Sequence, residues 1–258
     1  MKNIISKSKI RCLNYRKELL KMSQKVSAIH LGGTFSSVEI LDAIYNILMK
    51  KNERNNFIMS KGHCSVLQYV ILSDLGIIKK KDLKNYSKSK GKFGVHPEIK
   101  NRGINASTGS LGQGLALAAG FALSDISKNV FVVLSDGELQ EGSTWEAIMS
   151  ISNLDLKNII TIIDNNDFQS LDRTSISYPS VYPIEKKFKN FGWDSSVCNG
   201  HSIVEIVKAI TQRDKKRPFC LVAKTIKGFP ISFMKNNPIW HYKSPTKMEF
   251  KIAMGELN

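Results

Sequence analysis

VFVVLSDGELQEGSTWEAIMSISNLDLKNIITIIDNND, residues 130–167, decides the fold. VFVVL at 130–134 and NIITII at 158–163 are short, continuous apolar runs, the pattern of strands buried on both faces. Between them Trp145, Ile148, Met149 and Ser152 recur at helical spacing and predict a helix over 143–153. Strand, helix and strand in so short a stretch form a parallel unit with a right-handed crossover. Downstream, the pattern predicts a helix over 184–191 and a strand near 195–198. Ser202 with Glu205 three residues on reads as a capping box, opening a helix with Ile203, Ile206, Val207 and Ile210 on one side. FCLVAKT at 219–225 is the last strand. The β-α-β-α-β-α-β order predicts the α/β class, a parallel sheet flanked by helices. Upstream the chain reads as mainly helical, over 36–50, 63–75 (ended by Gly76) and 109–124. These helices should pack on the sheet, so 1–258 reads as a single domain.

The 258 residues include 38 Lys and Arg against 22 Asp and Glu, a formal net charge of +16. Such a surplus favours anionic partners: phosphorylated substrates, nucleic acid, an acidic protein partner or lipid headgroups. The lysines are spread along the chain, with neither aromatic–basic interleaving nor a zinc-finger spacing, so nucleic acid is not expected as a partner. No window approaches 18 uncharged apolar residues, so no membrane-spanning helix is expected. Cys12, Cys64, Cys198 and Cys220 form no C-x-x-C pair, which argues for a reducing, cytoplasmic setting. The first 25 residues hold eight basic residues and one acid, Glu18, but no uninterrupted apolar core of a secretory signal. Ile10, Leu13, Lys17, Leu20 and Gln24 read as one helix leading into His30.

In such a sheet, ligands bind outside the carboxyl ends of the strands. SDGE at 135–138 and DNND at 164–167 fall there. Asp136 and Asn166, 30 residues apart, would bring a carboxylate and an amide oxygen to one edge. With a backbone carbonyl they suit Mg²⁺, which shares its shell with phosphates and water. Ordinary strand–helix turns use the same residue types. STGSLGQG at 107–114 opens the run LALAAGFAL. Its small residues allow close approach of a phosphate to a helix end, or close helix packing through Gly112, Gly114, Ala116 and Ala119. His30, His63, His96 and His241 stand at turn-like junctions and suit proton transfer on oxygen-rich substrates. His201, before the helix at 202, reads as structural.

HLGGTFSSVEIL, FIMSKGHCSVLQYVILSDLG, GVHPE, STGSLGQGLALAAGFAL, LSDGELQEGSTWEA, IIDNND and KTIKGFPISFMKNNPIWH occur in that order. Together they resemble the thiamine-diphosphate enzymes of the transketolase family, most closely the N-terminal subunit of a split, two-chain transketolase. The resemblance implies a thiamine-diphosphate-binding fold and transfer of a two-carbon ketol unit from a ketose or ketose phosphate to an aldose-type acceptor. It implies that Asp136 and Asn166 coordinate Mg²⁺ or Ca²⁺, with the Phe168 backbone carbonyl as third ligand. His63, Gly109, Gly137 and His241 would contact the diphosphate, and Ser110 and Leu111 the thiazolium side. His30, His96 and His241 would line the substrate channel, and Glu141 would sit at the interface linking paired active sites. The pyrimidine-binding domain, whose glutamate activates the cofactor, would come from a C-terminal partner subunit. The expected assembly is α2β2, with an interface around Gly109–Gly114 and Glu138–Trp145. The family pattern is broken at Ser135, which replaces a Gly, at Tyr242, which replaces another, and at Phe229-Pro230. Two other readings share the fold: the α subunit of a thiamine-dependent 2-oxo acid dehydrogenase, and a non-catalytic scaffold or regulator.

Overall fold

The computed structural model describes residues 2–49 and 56–258. Helix α1 spans Lys2–Ser23, followed by two short helices, α2 at Leu31–Ser36 and α3 at Val38–Ala43. Strand β1 is Phe57–Met59, and α4 is Ser65–Asp74. Helix α5, Gly114–Ser124, leads to β2, Val130–Ser135; α6, Gly142–Asn153, leads to β3, Ile159–Asn165. A small hairpin of β4 (Phe168–Gln169) and β5 (Asp172–Arg173) precedes α7, Thr174–Ser177. Then come α8, Ile184–Asn190; β6, Asp194–Asn199; α9, Ile203–Thr211; β7, Phe219–Lys224; and α10, Lys247–Glu256.

The main sheet has the order β1-β2-β3-β7-β6, and every pair is parallel. Alternate residues of each strand point to opposite faces, and both faces are covered. Phe131, Val133, Ile160, Ile162, Phe219 and Leu221 join the core under α1, α3 and α4. Val130, Val132, Leu134, Ile159, Ile163 and Val222 join the core under α5, α6 and α8. The apolar runs therefore read as continuous because each face of the sheet meets its own layer of helices.

Four sequence expectations need correction. A fifth strand, β1, pairs with β2 at the sheet edge; three residues are too few to show a period. The helix expected over 36–50 breaks at Ser37 and ends in a π turn at Ile44–Leu48, residue 50 lying outside the described residues. The helix expected over 109–124 begins only at Gly114, because Gly109 and Gly112 hold φ of +155° and +85° in the preceding loop. The helix expected through Ile10, Leu13, Lys17, Leu20 and Gln24 does form, as α1, and ends at Ser23. Its buried residues include Ser8, Cys12, Arg16, Leu19, Leu20 and Ser23, whose polar members disguise them as a solvent face. The Ser202 cap is also only half a box: its hydroxyl accepts the Glu205 N–H at 3.3 Å, but the Glu205 carboxylate takes the Asn199 N–H instead. Among the described residues no helix is long and apolar enough to cross a membrane, and all four cysteines are free and buried.

Candidate active site

The β2–β3 register pairs Ser135 with Asp164, and the β3–β7 register pairs Asp164 with Ala223. The residues that follow these strands therefore meet at the carboxyl edge. Asp136 is fully buried. Its carboxylate accepts the Gly137 N–H at 3.0 Å and the Asp167 N–H at 2.7 Å. Burial, then repulsion from Asp164, pushes its pKa up to about 7. Asn166, 5% exposed, donates to Ser36 Oγ at 3.2 Å, and its amide oxygen accepts the Phe168 N–H at 3.0 Å.

Beneath this edge lies a buried ion pair. Lys61 Nζ reaches Asp164 Oδ2 at 2.5 Å, Ser37 Oγ at 3.0 Å and the Gly33 carbonyl at 3.1 Å. Asp164 also accepts from Ser36 at 2.6 Å, from Ser37 at 2.8 Å and from the Thr225 hydroxyl. Burial alone would lower the lysine's pKa and raise the carboxylate's, but their mutual attraction reverses both shifts.

Above the pair opens a cleft of about 330 Å³. Three imidazoles share one wall, with ring centroids 5.3 Å apart for His30 and His63, 5.1 Å for His30 and His241, and 5.9 Å for His63 and His241. Burial lowers all three, His30 to about 3 and His241 to about 4; Lys61 lowers each further, and Lys227 adds to this at His30 and His241. They are neutral at pH 7, so each offers one N–H and one lone pair. His30 Nδ1 is buried and has no partner among the described residues. Lys227, 1% exposed, brings a second ammonium into the cleft from the loop after β7. It donates to the Ser170 carbonyl at 3.0 Å and lies 5.0 Å from the Phe168 ring. Burial, then Lys61, lowers it to about 8.

Two buried lysines, three neutral imidazoles and glycine backbone on a deep wall form a cradle for a phosphate-bearing anion. Residues 9–249 match the family model described as transketolase, thiamine diphosphate binding domain. The chain belongs to the transketolase family. It is 32% identical to one subunit of the apulose-4-phosphate transketolase of Phocaeicola vulgatus, over 94% of this chain and 91% of that one. It is 34% identical to the same-named subunit of Actinobacillus succinogenes, over 88% of this chain and 87% of that one. The solved transketolase of Campylobacter jejuni superposes with a TM-score of 0.87 at 27% identity, over 99% of this chain but only 43% of that chain. The chain thus spans less than half of that solved transketolase, and about nine-tenths of the two apulose-4-phosphate transketolase subunits.

Within this transketolase domain, His30, His63, Gly109, Leu111 and His241 border the cleft, as do Gly137, Glu141, Asn166 and Phe168. Asp136 lies just behind the Ser135–Gly137 wall, with no exposed surface. Two more expected residues stand outside the lining. Ser110 is exposed, and His96 packs against Gly109, where a Cβ would come within 3.1 Å of its ring. The interface expected from Glu138 onward needs correction at its start: Glu138 and Leu139 are 0% exposed. Glu138 accepts the Gly112 N–H at 2.9 Å and the Ser60 hydroxyl, tying the glycine loop to the turn after β2. Ser135 lines the cleft, and the Tyr242 ring lies tilted by 41° to that of His30, centroids 4.6 Å apart.

The donor set suits a divalent cation beside a phosphate. The Asp136 carboxylate is buried, forms no ion pair among the described residues, and is held up by a neighbouring negative charge that a cation would offset. Gly137, on the cleft wall, leaves no room for a Cβ, which would meet Gln169 Cβ at 2.9 Å. Sequence reasoning missed Lys61, Lys227 and Asp164. All three lay inside quoted stretches, but a lone lysine on a basic chain carries no period or spacing that marks it as buried.

Proposed function

We propose that this chain is the diphosphate-binding half of a two-chain transketolase, built as a single domain. The observation that carries the reading is the meeting, in one cleft, of three neutral imidazoles and two lysines beside the buried Asp136–Asn166 edge. Asp136, Asn166 and the Phe168 carbonyl would hold Mg²⁺ or Ca²⁺. His63, Gly109, Gly137, Lys227 and His241 would bind the diphosphate, with Ser110 and Leu111 towards the thiazolium. When bound, thiamine diphosphate supplies the ring carbon on which carbanion chemistry is done. The chain's own residues supply orientation and proton handling. His30, with an unpartnered Nδ1, and His241 would hydrogen-bond the oxygens of a ketose or ketose phosphate and move protons to or from them, with His96 at the rim. Neutral imidazoles do this without adding charge beside the lysines.

Relatives that are themselves named as subunits support a partner chain, which we assign the pyrimidine-binding domain and its activating glutamate. Leu117, Leu123 and Met149 lie exposed on α5 and α6, at 40%, 53% and 47%, which supports a covered surface there. Glu141 is exposed beside it, and an α2β2 assembly would bury both. The free, buried cysteines support a cytoplasmic setting. Asp136→Ala should abolish Mg²⁺-dependent thiamine-diphosphate binding while preserving the far-ultraviolet dichroism spectrum. Undiminished binding by this variant, or by the parent chain in excess chelator, would reject the metal edge. Ketol transfer by this chain without any partner would reject the two-chain reading.

A further inference from the structure

The Arg16–Glu39–His201 cluster, a buried ion pair backed by a neutral imidazole, lies outside the cleft. Arg16, 4% exposed on α1, makes a two-pronged ion pair with Glu39 on α3, both contacts at 2.7 Å. His201 Nδ1 lies 3.1 Å from the same carboxylate, and its Nε2 accepts the Ile226 N–H at 2.9 Å. That acceptance fixes the tautomer: Nε2 carries no proton, so Nδ1–H donates to Glu39. The ring also stacks on Phe229 at 4.1 Å. Arg16 Nε donates to the Phe229 carbonyl at 3.1 Å, and its guanidinium lies 5.5 Å from the Phe229 ring.

Four of these contacts, two from His201 and two from Arg16, grip the short segment that carries Lys227. Ile226 is held by its N–H and Phe229 by its carbonyl and ring. Gly228, at φ +81°, donates to the Gly32 carbonyl at 3.0 Å. Between those clamps Lys227 projects the opposite way, into the cleft. A Cβ on Gly32 would meet Lys227 Cγ at 3.0 Å, so the lysine stem is confined as well.

We infer that His201, backed by Glu39 and Arg16, is a positioning residue that fixes the Ile226–Phe229 segment so that the Lys227 ammonium faces the diphosphate. This rests on the reading of the cleft as a diphosphate cradle. His201 does not line the cleft, and its sequence reading as structural is sharpened: it acts on the site through one backbone hydrogen bond. Its reach follows from geometry, since removing the acceptor from this part-buried N–H leaves the group short of a partner and the segment freer to move.

The test uses the full chain and four variants: His201→Phe, His201→Gln, Lys227→Met and the double variant His201→Phe/Lys227→Met. Phe keeps the stack on Phe229 but offers no acceptor; Gln restores one. The first measurement is amide hydrogen exchange of the 225–230 segment, which needs no ligand. Exchange at Ile226 should quicken in His201→Phe and return towards the parent rate in His201→Gln. The second is affinity for Mg²⁺–thiamine diphosphate and for inorganic pyrophosphate, by calorimetry. Loss of one charge-assisted contact should weaken binding roughly tenfold to a hundredfold in Lys227→Met. His201→Phe should weaken it about tenfold and add little to Lys227→Met in the double variant. Additive losses, or equal losses in His201→Phe and His201→Gln, would overturn the positioning role. Faster exchange in His201→Phe with unchanged diphosphate affinity in Lys227→Met would instead overturn the cradle reading on which it rests.

Discussion

Lys61→Met keeps most of the lysine's apolar stem and deletes the ammonium on which the floor of the site is built. Three contacts go: the 2.5 Å bond to Asp164, the 3.0 Å bond to Ser37 and the 3.1 Å bond to the Gly33 carbonyl. Asp164 stays fully buried with only hydroxyls for company. Removing one partner of a buried pair costs about 3–5 kcal/mol, because the other charge is left without compensation. The hydroxyls of Ser36, Ser37 and Thr225 still donate to Asp164, which argues for the lower end, about 3 kcal/mol. At roughly 2–4 °C per kcal/mol for a chain of this size, Tm should fall by about 6–12 °C. Urea denaturation and calorimetry of the cofactor-free chain measure both quantities. The deficit should narrow as pH falls through about 4, where Asp164 would be protonated in the unfolded chain and, lacking Lys61, in the folded one too. Lys61→Met/Asp164→Asn, which removes the orphaned charge, should recover a large part of the loss. A cost below about 1 kcal/mol, or no recovery in the double variant, would refute the reasoning.

Two further predictions concern Glu39 and Ser135. Burial opposes ionisation of Glu39, but Arg16 and the His201 hydrogen bond outweigh it and hold the carboxyl at about 2. A depressed acid stabilises the fold above its unfolded pKa and loses that contribution as pH falls, so about 3 kcal/mol should disappear between roughly pH 4.5 and 2. Denaturation of the parent chain and Glu39→Gln over that range should show the parent's advantage vanishing; a constant gap would contradict the pairing. Ser135→Gly should change thiamine-diphosphate affinity by less than about tenfold, because the serine lines the cleft wall while the Asp136 carboxylate keeps the Gly137 N–H. A much larger gain on calorimetric titration would mean that the serine obstructs the site.

The strands of the sheet's centre were legible because burial on both faces leaves an unbroken apolar run, as in Phe131–Leu134 and Ile159–Ile163. The positions of Asp136 and Asn166 followed from strand order alone. Elements whose inner faces are charged were not legible. Arg16 and Glu39 sit 23 residues apart and look like surface residues until α1 and α3 pack together. Lys61 and Asp164 are separated by 103 residues, and neither carries a periodic signal of the other. The glycine loop shows the converse: Gly109 and Gly112 were read as small residues opening a helix, when their positive φ keeps the helix from starting before Gly114.

Asp164 gathers partners that precede it by 128, 127 and 103 residues and one that follows it by 61. Contacts this distant reward the chain only after the entropy of closing long loops has been overcome. During synthesis the serines, Lys61 and the Asp136–Asn166 edge all emerge well before Thr225 and Lys227. The anion floor therefore closes only when the seventh strand arrives, and no shorter nascent chain presents it. A ligand that binds the closed form alone raises the population of that form by mass action. A ligand bound over this floor would therefore favour chains in which the last strand has joined the sheet.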